Sequence, residues 1–297
     1  ARVRVFSDDG NCVFDPLVMR RALEYIKKFD GVIAQHAQEP RLTVGSQMNE
    51  GIVSSKLGLK GWPAIAEEAI IARDVLLADH VQSRLHICHV TTAGGVEIIR
   101  WAKARGIQVT AEVTPHHLLL TDDLASSYDP VFKVNPPLRT SKDVMALREA
   151  LADGTIDIVA TDHAPHTIEE KKGNYFTAPS GGPLVQHALV SALAMCDATV
   201  FTRELIVDRF CHALADLFDI PDRGYIREGY KADLVLVDPK SPWTVAPDNI
   251  RYKCGWSPFE GVTFQNRVVS TWVNGQLVFD GSNINESIRG ERLSFQR

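Results

Sequence analysis

Four residues with metal-binding side chains each stand just after a short run rich in β-branched and apolar residues. Asp9 follows residues 3–6, His36 follows Val32-Ile33-Ala34, His89 follows residues 85–88, and Asp162 follows residues 157–160. Carboxylate and imidazole donors together suit Zn²⁺, with Mn²⁺ or Fe²⁺ as lesser choices. A metal site needs donors converging from several directions, and neighbouring strand ends of one parallel sheet provide them. Each residue alone has a plainer reading. A strand-end His can be a hydrogen-bonded structural residue, Asp9 a turn residue before Gly10, and Asp162 a helix cap. Four such residues at four strand ends favour a metal site. Asp162 is the candidate catalytic acid/base, because a carboxylate beside an activated water can take its proton and pass it to a leaving nitrogen.

The elements that must position these residues follow one pattern from residue 1 to 200: a short strand, a polar cluster, then an amphipathic helix. In the first helix Asp15 reads as N-cap and Pro16 as first residue, with Val18, Ala22, Ile26 and Phe29 holding one helical face. After a long loop, a second helix carries Ile65, Ala69, Ala72 and Leu76, and a third carries Val96 and Ile99. The five strands run through residues 3–6, 32–34, 85–88, 108–113 and 157–160. Strands alternating with helices imply a parallel α/β sheet. Polar residues after every strand favour a (β/α)8 barrel, whose active site lies at the strand C-termini, over a doubly wound sheet with one switch point. After a helix around 204–218 the texture changes to short strands separated by Gly, Pro and Asn, and Asn274-Gly275 is a hairpin signal. The expected division is a barrel domain at 1–221 and a small β-rich sandwich domain at 222–297.

Composition is that of a soluble globular protein, with 45% hydrophobic and 23% charged residues in 297. A net charge of −5 gives no reason to expect nucleic acid or an anionic membrane as partner. No apolar run reaches the roughly 18 residues of a membrane span, and residues 1–6 carry neither signal-peptide nor transit-peptide character. The five cysteines, Cys12, Cys88, Cys196, Cys211 and Cys254, form no C-x-x-C pair, which argues against a disulfide framework or zinc knuckle and for a reducing cytoplasm. Cys88, beside His89, has strand-like flanks and reads as a small buried hydrophobe.

Three stretches carry a resemblance: Phe6-Ser7-Asp8-Asp9-Gly10, Val134-Asn135-Pro136-Pro137-Leu138-Arg139 and Ala160-Thr161-Asp162-His163-Ala164-Pro165-His166. With Cys88-His89-Val90-Thr91-Thr92 and Glu112-Val113-Thr114-Pro115-His116-His117-Leu118, they resemble the dihydroorotases of the longer bacterial type, in the amidohydrolase superfamily. The resemblance implies a zinc-dependent enzyme, with two ions per complete site, that reversibly cyclises N-carbamoyl-L-aspartate to L-dihydroorotate. It implies Asp9 as a bridging metal ligand after strand four, His36 and His89 as ligands of the second ion, and Asp162 as ligand of the first ion and catalytic acid/base. Asn135, His166, Ser180 and Gly181 match substrate-binding positions. A homodimer, and association with aspartate transcarbamoylase, are the implied partners. Competing readings are a hydantoinase or dihydropyrimidinase, and a non-catalytic dihydroorotase-like scaffold for aspartate transcarbamoylase.

The same resemblance calls for an H-x-H-x-R motif after barrel strand one, and the sequence contains no H-x-H. Its first strand maps to strand four, so the chain reads as the portion carrying strands four to eight. Among the remaining residues, His116 and His117 read as supporting the site, and His80, His86, His187 and His212 as structural without convergent partners. Arg139 is expected to orient Asn135 or meet an anionic substrate, or else to stand at the surface or in a salt bridge. Glu169-Glu170-Lys171-Lys172 reads as a solvated charge run, inside a loop at 164–182 expected to act as a mobile lid.

Overall fold

The computed structural model describes residues 3–295. Two compact units emerge: one runs to Val185 and takes in Tyr252–Pro258, the other holds Gln186–Arg251 and continues from Phe259. The helices between residues 188 and 217 therefore group with the β-rich part of the chain rather than with the strands before them.

The first unit opens with β1 (Val5–Ser7), α1 (Pro16–Ile26) and β2 (Val32–Gln35). The expected long loop instead holds β3 (Met48–Asn49), α2 (Ile52–Leu57) and β4 (Gly61–Trp62), with β3 and β4 pairing as a two-stranded parallel sheet. Then follow α3 (Ile65–Val81), β5 (Arg84–Ile87), α4 (Ala93–Ala104), β6 (Val109–Val113), α5 (Pro115–Leu119), α6 (Ser141–Asp153), β7 (Ile158–Val159) and α7 (Ile168–Lys171). Strands β1, β2, β5, β6 and β7 form one parallel sheet in that order, each pairing with the next of the five strands in the chain. All five strand readings hold. Each is a short apolar run, and each parallel neighbour is reached through a helical crossover.

Two helix faces differ from expectation. In α1 the Asp15 carboxylate accepts from Leu17 N and Val18 N as foreseen. The buried residues, however, are Met19, Leu23 and Ile26, while Val18 is exposed. Leu17 and Val18 make both sides of this helix apolar, so periodicity alone picks the wrong stripe. In α3 the expected stripe is largely the outer one, with Ile65, Ala69 and Leu76 exposed. The buried face holds Ala66, Ile70, Ile71, Val75 and Ala78 together with two carboxylates, Glu67 and Asp74. Those charges disguise it.

Each buried carboxylate has partners. Glu67 accepts from Thr91 N and Thr92 N, both at 3.0 Å, from Thr92 Oγ1 at 2.9 Å and from Thr91 Oγ1. It thereby places negative charge at the N-terminus of α4, where the helix dipole favours it. Asp74 accepts from Gln35 Nε2 at 2.8 Å and Arg73 Nε at 2.7 Å, and its burial pushes its pKa up to about 6.

Arg139 completes this interior rather than facing substrate. It is 1% exposed, and its guanidinium donates to Thr91 Oγ1 (3.1 Å), Asn49 Oδ1 (2.9 Å) and Trp62 O (2.9 Å), over the Trp62 ring. Glu67 lies 4.0 Å from its Nη2. Arg139 thus ties β3 and β4 to the α3–α4 corner. Replacing it with Met leaves a buried carboxylate short of its cation and strips three acceptors of their donor. The unfolding free energy of the intact protein should fall by about 3–5 kcal/mol in urea titration. A loss below about 1 kcal/mol would mean the network relaxes at little cost.

The second unit contains α8 (Ala188–Asp197), α9 (Arg203–Val207), α10 (Ala213–Leu217), β8 (Leu234–Asp238), β9 (Trp243–Thr244), β10 (Thr263–Phe264), β11 (Arg267–Val273) and β12 (Gln276–Phe279). The order β12-β11-β8 makes an antiparallel sheet. Its hairpin turns at Asn274 and Gly275, both at positive φ as a type I′ turn requires. No helix among the described residues is long and apolar enough to cross a membrane.

Candidate metal centre

Three adjacent strands, β1, β2 and β5, end in Asp9, His36 and His89, and sheet order makes these ends neighbours. His36 Nδ1 lies 3.0 Å from His89 Nε2, and Asp9 Oδ1 lies 3.5 and 3.4 Å from those two nitrogens. Both imidazoles are buried, whereas the Asp9 carboxylate is half-exposed. Tetrahedral donors at roughly 2.0–2.1 Å from a zinc ion stand about 3.3 Å apart, so the spacing fits one ion held by all three. His36 Nε2 donates to Gln38 Oε1 at 2.8 Å, which leaves the Nδ1 lone pair facing the group. Two imidazole nitrogens at 3.0 Å need a cation or a proton between them. When protons rather than a metal lie between these groups, hydrogen bonds from His36 and His89 hold the Asp9 carboxyl far below the usual carboxylate range. Burial depresses the His89 imidazole, but the Asp9 hydrogen bond and the charges of Asp162 and Glu112 outweigh it and raise its pKa. The donor set fits a metal.

Asp162 stands outside this three-residue group. It follows β7, which β6 separates from β5 in the sheet. Its backbone is left-handed (φ 48°). Burial raises its pKa, and the charges of His89 and His36 oppose that rise, so its carboxyl feels the metal group electrostatically.

Beside the group lies a cavity of about 90 Å³ whose lining includes Gln38, Trp62, Asn135 and Ser180. Gln38 joins it to the metal group: its Oε1 accepts from His36 and, at the long limit of 3.5 Å, from Asn135 Nδ2. Among the described residues the buried Asn135 Oδ1 finds no hydrogen-bond partner, so an acceptor is left unsatisfied there.

The amidohydrolase family model matches residues 13–278. The chain belongs to the amidohydrolase family. Curated relatives named dihydroorotase are 57% identical in Streptomyces coelicolor, over 93% of this chain and 65% of that protein, and 56% identical in Leifsonia xyli subsp. xyli, over 98% and 67%. The chain thus spans about two thirds of the length of these relatives. The solved L-hydantoinase (dihydropyrimidinase) of Arthrobacter aurescens superposes with a TM-score of 0.82 at 26% identity, covering 95% of this chain and 65% of that one. The five parallel strands are those of the (β/α)8 barrel of this superfamily.

Other residues of this amidohydrolase chain fall into place around that centre. His166 is half-buried, with Nε2 2.9 Å from Ser180 O. Gly181 has φ +121°, and a Cβ there would lie 2.7 Å from Ala164 O, so glycine is required. His116 and His117 are buried after the Thr114 N-cap. Burial drives His116 down to about 3 and His117 well below the usual range, so both are neutral. His117 Nε2 lies 3.1 Å from Pro136 O and supports the Asn135 segment. Burial also pushes the Cys88 thiol far up, which removes it as a nucleophile.

Sequence reasoning missed Gln38 and Glu112, and misread His86 and Lys171. His86 has partners: Nε2 is 3.1 Å from Glu112 Oε2 and Nδ1 is 2.8 Å from Thr110 Oγ1. Glu112 also hydrogen-bonds the backbone of His89, whose φ of 32° needs support. The alternation in β6 put Thr110 and Glu112 on one face, and the register pairs Thr110 with His86. The signal was present once the strand pairing was known. Lys171, read as part of a solvated run, is 1% exposed.

Proposed function

We propose that the protein hydrolyses and re-forms a cyclic amide, dihydroorotate, with a divalent metal at Asp9, His36 and His89. The observation that carries this reading is the imidazole–carboxylate group opening, through Gln38, onto a cavity walled by Asn135, in a chain 57% identical to a protein named dihydroorotase. When bound, the metal supplies Lewis acidity toward the ring amide; zinc, two ions in the complete site, is the choice that the donors and the resemblance favour.

The chain's own residues do the rest. Asp9, His36 and His89 hold the ion, and Gln38 fixes the His36 tautomer. In hydrolysis the carbonyl carbon gains OH from water as its bond to the ring nitrogen breaks. Asp162 takes the proton released by the water and delivers it to that nitrogen, yielding N-carbamoyl-L-aspartate; cyclisation runs the same transfers backwards. A carboxyl whose pKa is raised by burial suits both directions. Asn135 Oδ1 accepts a ring N–H, and the Ser180–Gly181 turn with His166 bounds the other side of the substrate. The five free thiols suit a reducing cytoplasm.

Turnover of dihydroorotate, hydantoin and dihydrouracil by the intact, metal-loaded protein tests the assignment. Dihydroorotate should be preferred in kcat/KM by at least about a hundredfold, because a site that binds the substrate carboxylate rejects rings lacking it. Preference for hydantoin or dihydrouracil would make the protein a hydantoinase. No turnover with metal bound would favour the scaffold reading.

A further inference from the structure

The loop at 164–182 is pinned by a buried cation. The ammonium of Lys171, at the end of α7, donates to the carbonyls of Pro179 (3.0 Å), Gly181 (3.0 Å) and Lys133 (3.2 Å). Three N–H bonds meet three acceptors. Gly181 N donates in turn to Lys133 O at 3.0 Å, so one carbonyl is shared by the lysine and the turn it holds. The ammonium sits 5.5 Å from the centre of the Trp256 ring, whose Nε1 donates to His166 O. Among the described residues no carboxylate lies within ion-pair distance of it. An apolar side chain would fill this interior at lower desolvation cost, which burial makes plain by lowering the Lys171 pKa to about 8. What the cation provides and an apolar side chain cannot is a hold on both ends of the turn carrying Ser180.

We propose that Lys171 is a positioning residue of the substrate cavity: its ammonium, bonded to Pro179, Gly181 and Lys133, fixes the turn that presents Ser180 opposite Asn135. The bond to Pro179 O also polarises the peptide whose other end is Ser180 N–H, strengthening that group as a donor toward an anionic ligand. The loop is therefore a preset wall rather than a free lid. The role in substrate binding rests on the dihydroorotate reading above; the clasp itself does not.

Two readouts on the intact protein separate these claims, using Lys171→Met and Lys171→Gln, with Lys172→Met as control because Lys172 is exposed. Amide exchange at 181–182 should quicken by about tenfold or more in Lys171→Met and less in Lys171→Gln, with β5 and β6 unchanged. KM for dihydroorotate should rise by about tenfold while kcat stays within about threefold, the pattern of lost uniform binding. Lys172→Met should change neither. Unchanged exchange overturns the clasp. Quickened exchange with unchanged KM, or kcat falling as much as KM rises, overturns the positioning role. Failure of both variants to fold makes Lys171 a core residue and overturns the proposal too. A wild type inert toward dihydroorotate removes the functional reading, and exchange still decides the clasp.

Discussion

Alanine in place of His89 should strip the intact protein of its tightly held metal and lower dihydroorotate turnover by well over a hundredfold. The expectation follows from geometry. His89 Nε2 is the nearest neighbour of His36 Nδ1, and Asp9 Oδ1 faces both. Removing it leaves one imidazole and a half-exposed carboxylate, too few donors to displace the ion's water. A graded comparison makes the test sharper. Gln38→Ala removes no ligand but takes away the acceptor that fixes the His36 tautomer, and loss of such an outer partner costs about 10–100-fold in metal affinity. Metal content after dialysis against chelator, read beside turnover, should therefore rank wild type above Gln38→Ala and Gln38→Ala above His89→Ala. Equal metal content in wild type and His89→Ala would dissolve the assigned centre.

The sequence disclosed strand ends better than helix faces, for a physical reason. A strand of a parallel sheet is buried on both sides, so Val32–Gln35 and Arg84–Ile87 announce themselves as compact runs, and the polar residue after each run marks the site. Which of the four marked residues meet depends on strand order. Asp9, His36 and His89 share consecutive strands and converge, whereas Asp162 follows a strand one removed. Helix α3 was misread because its inward face carries Glu67 and Asp74. Their partners, Thr91, Thr92 and Gln35, lie 24 to 39 residues away, and no local pattern shows that a carboxylate will be satisfied there. Lys171 is the same case with the sign reversed. A charge run is solvated by default, and only the return of the chain at Pro179–Gly181 supplies the carbonyls that let one lysine go inside. Gln38 was hidden by its ordinary neighbours, since only the ring orientation of His36 gives it a task.

Asp162→Asn should lower kcat by about 10²–10⁴-fold with KM changed only severalfold, the range expected for loss of a positioned acid/base. Asparagine is the informative replacement because it keeps shape and tolerates the left-handed backbone found at this position (φ 48°), whereas most side chains would strain it. What it loses is the ability to accept a proton. Burial already raises the pKa of Asp162, and the neighbouring imidazoles of His89 and His36 hold part of that rise back. Because Asp162 lies outside the Asp9–His36–His89 group, metal bound by those three should survive the substitution. Metal content near wild type with a collapsed kcat is therefore the expected result. Retained metal with kcat within about tenfold of wild type would assign the proton transfer to another group. Loss of metal together with activity would make Asp162 a ligand first.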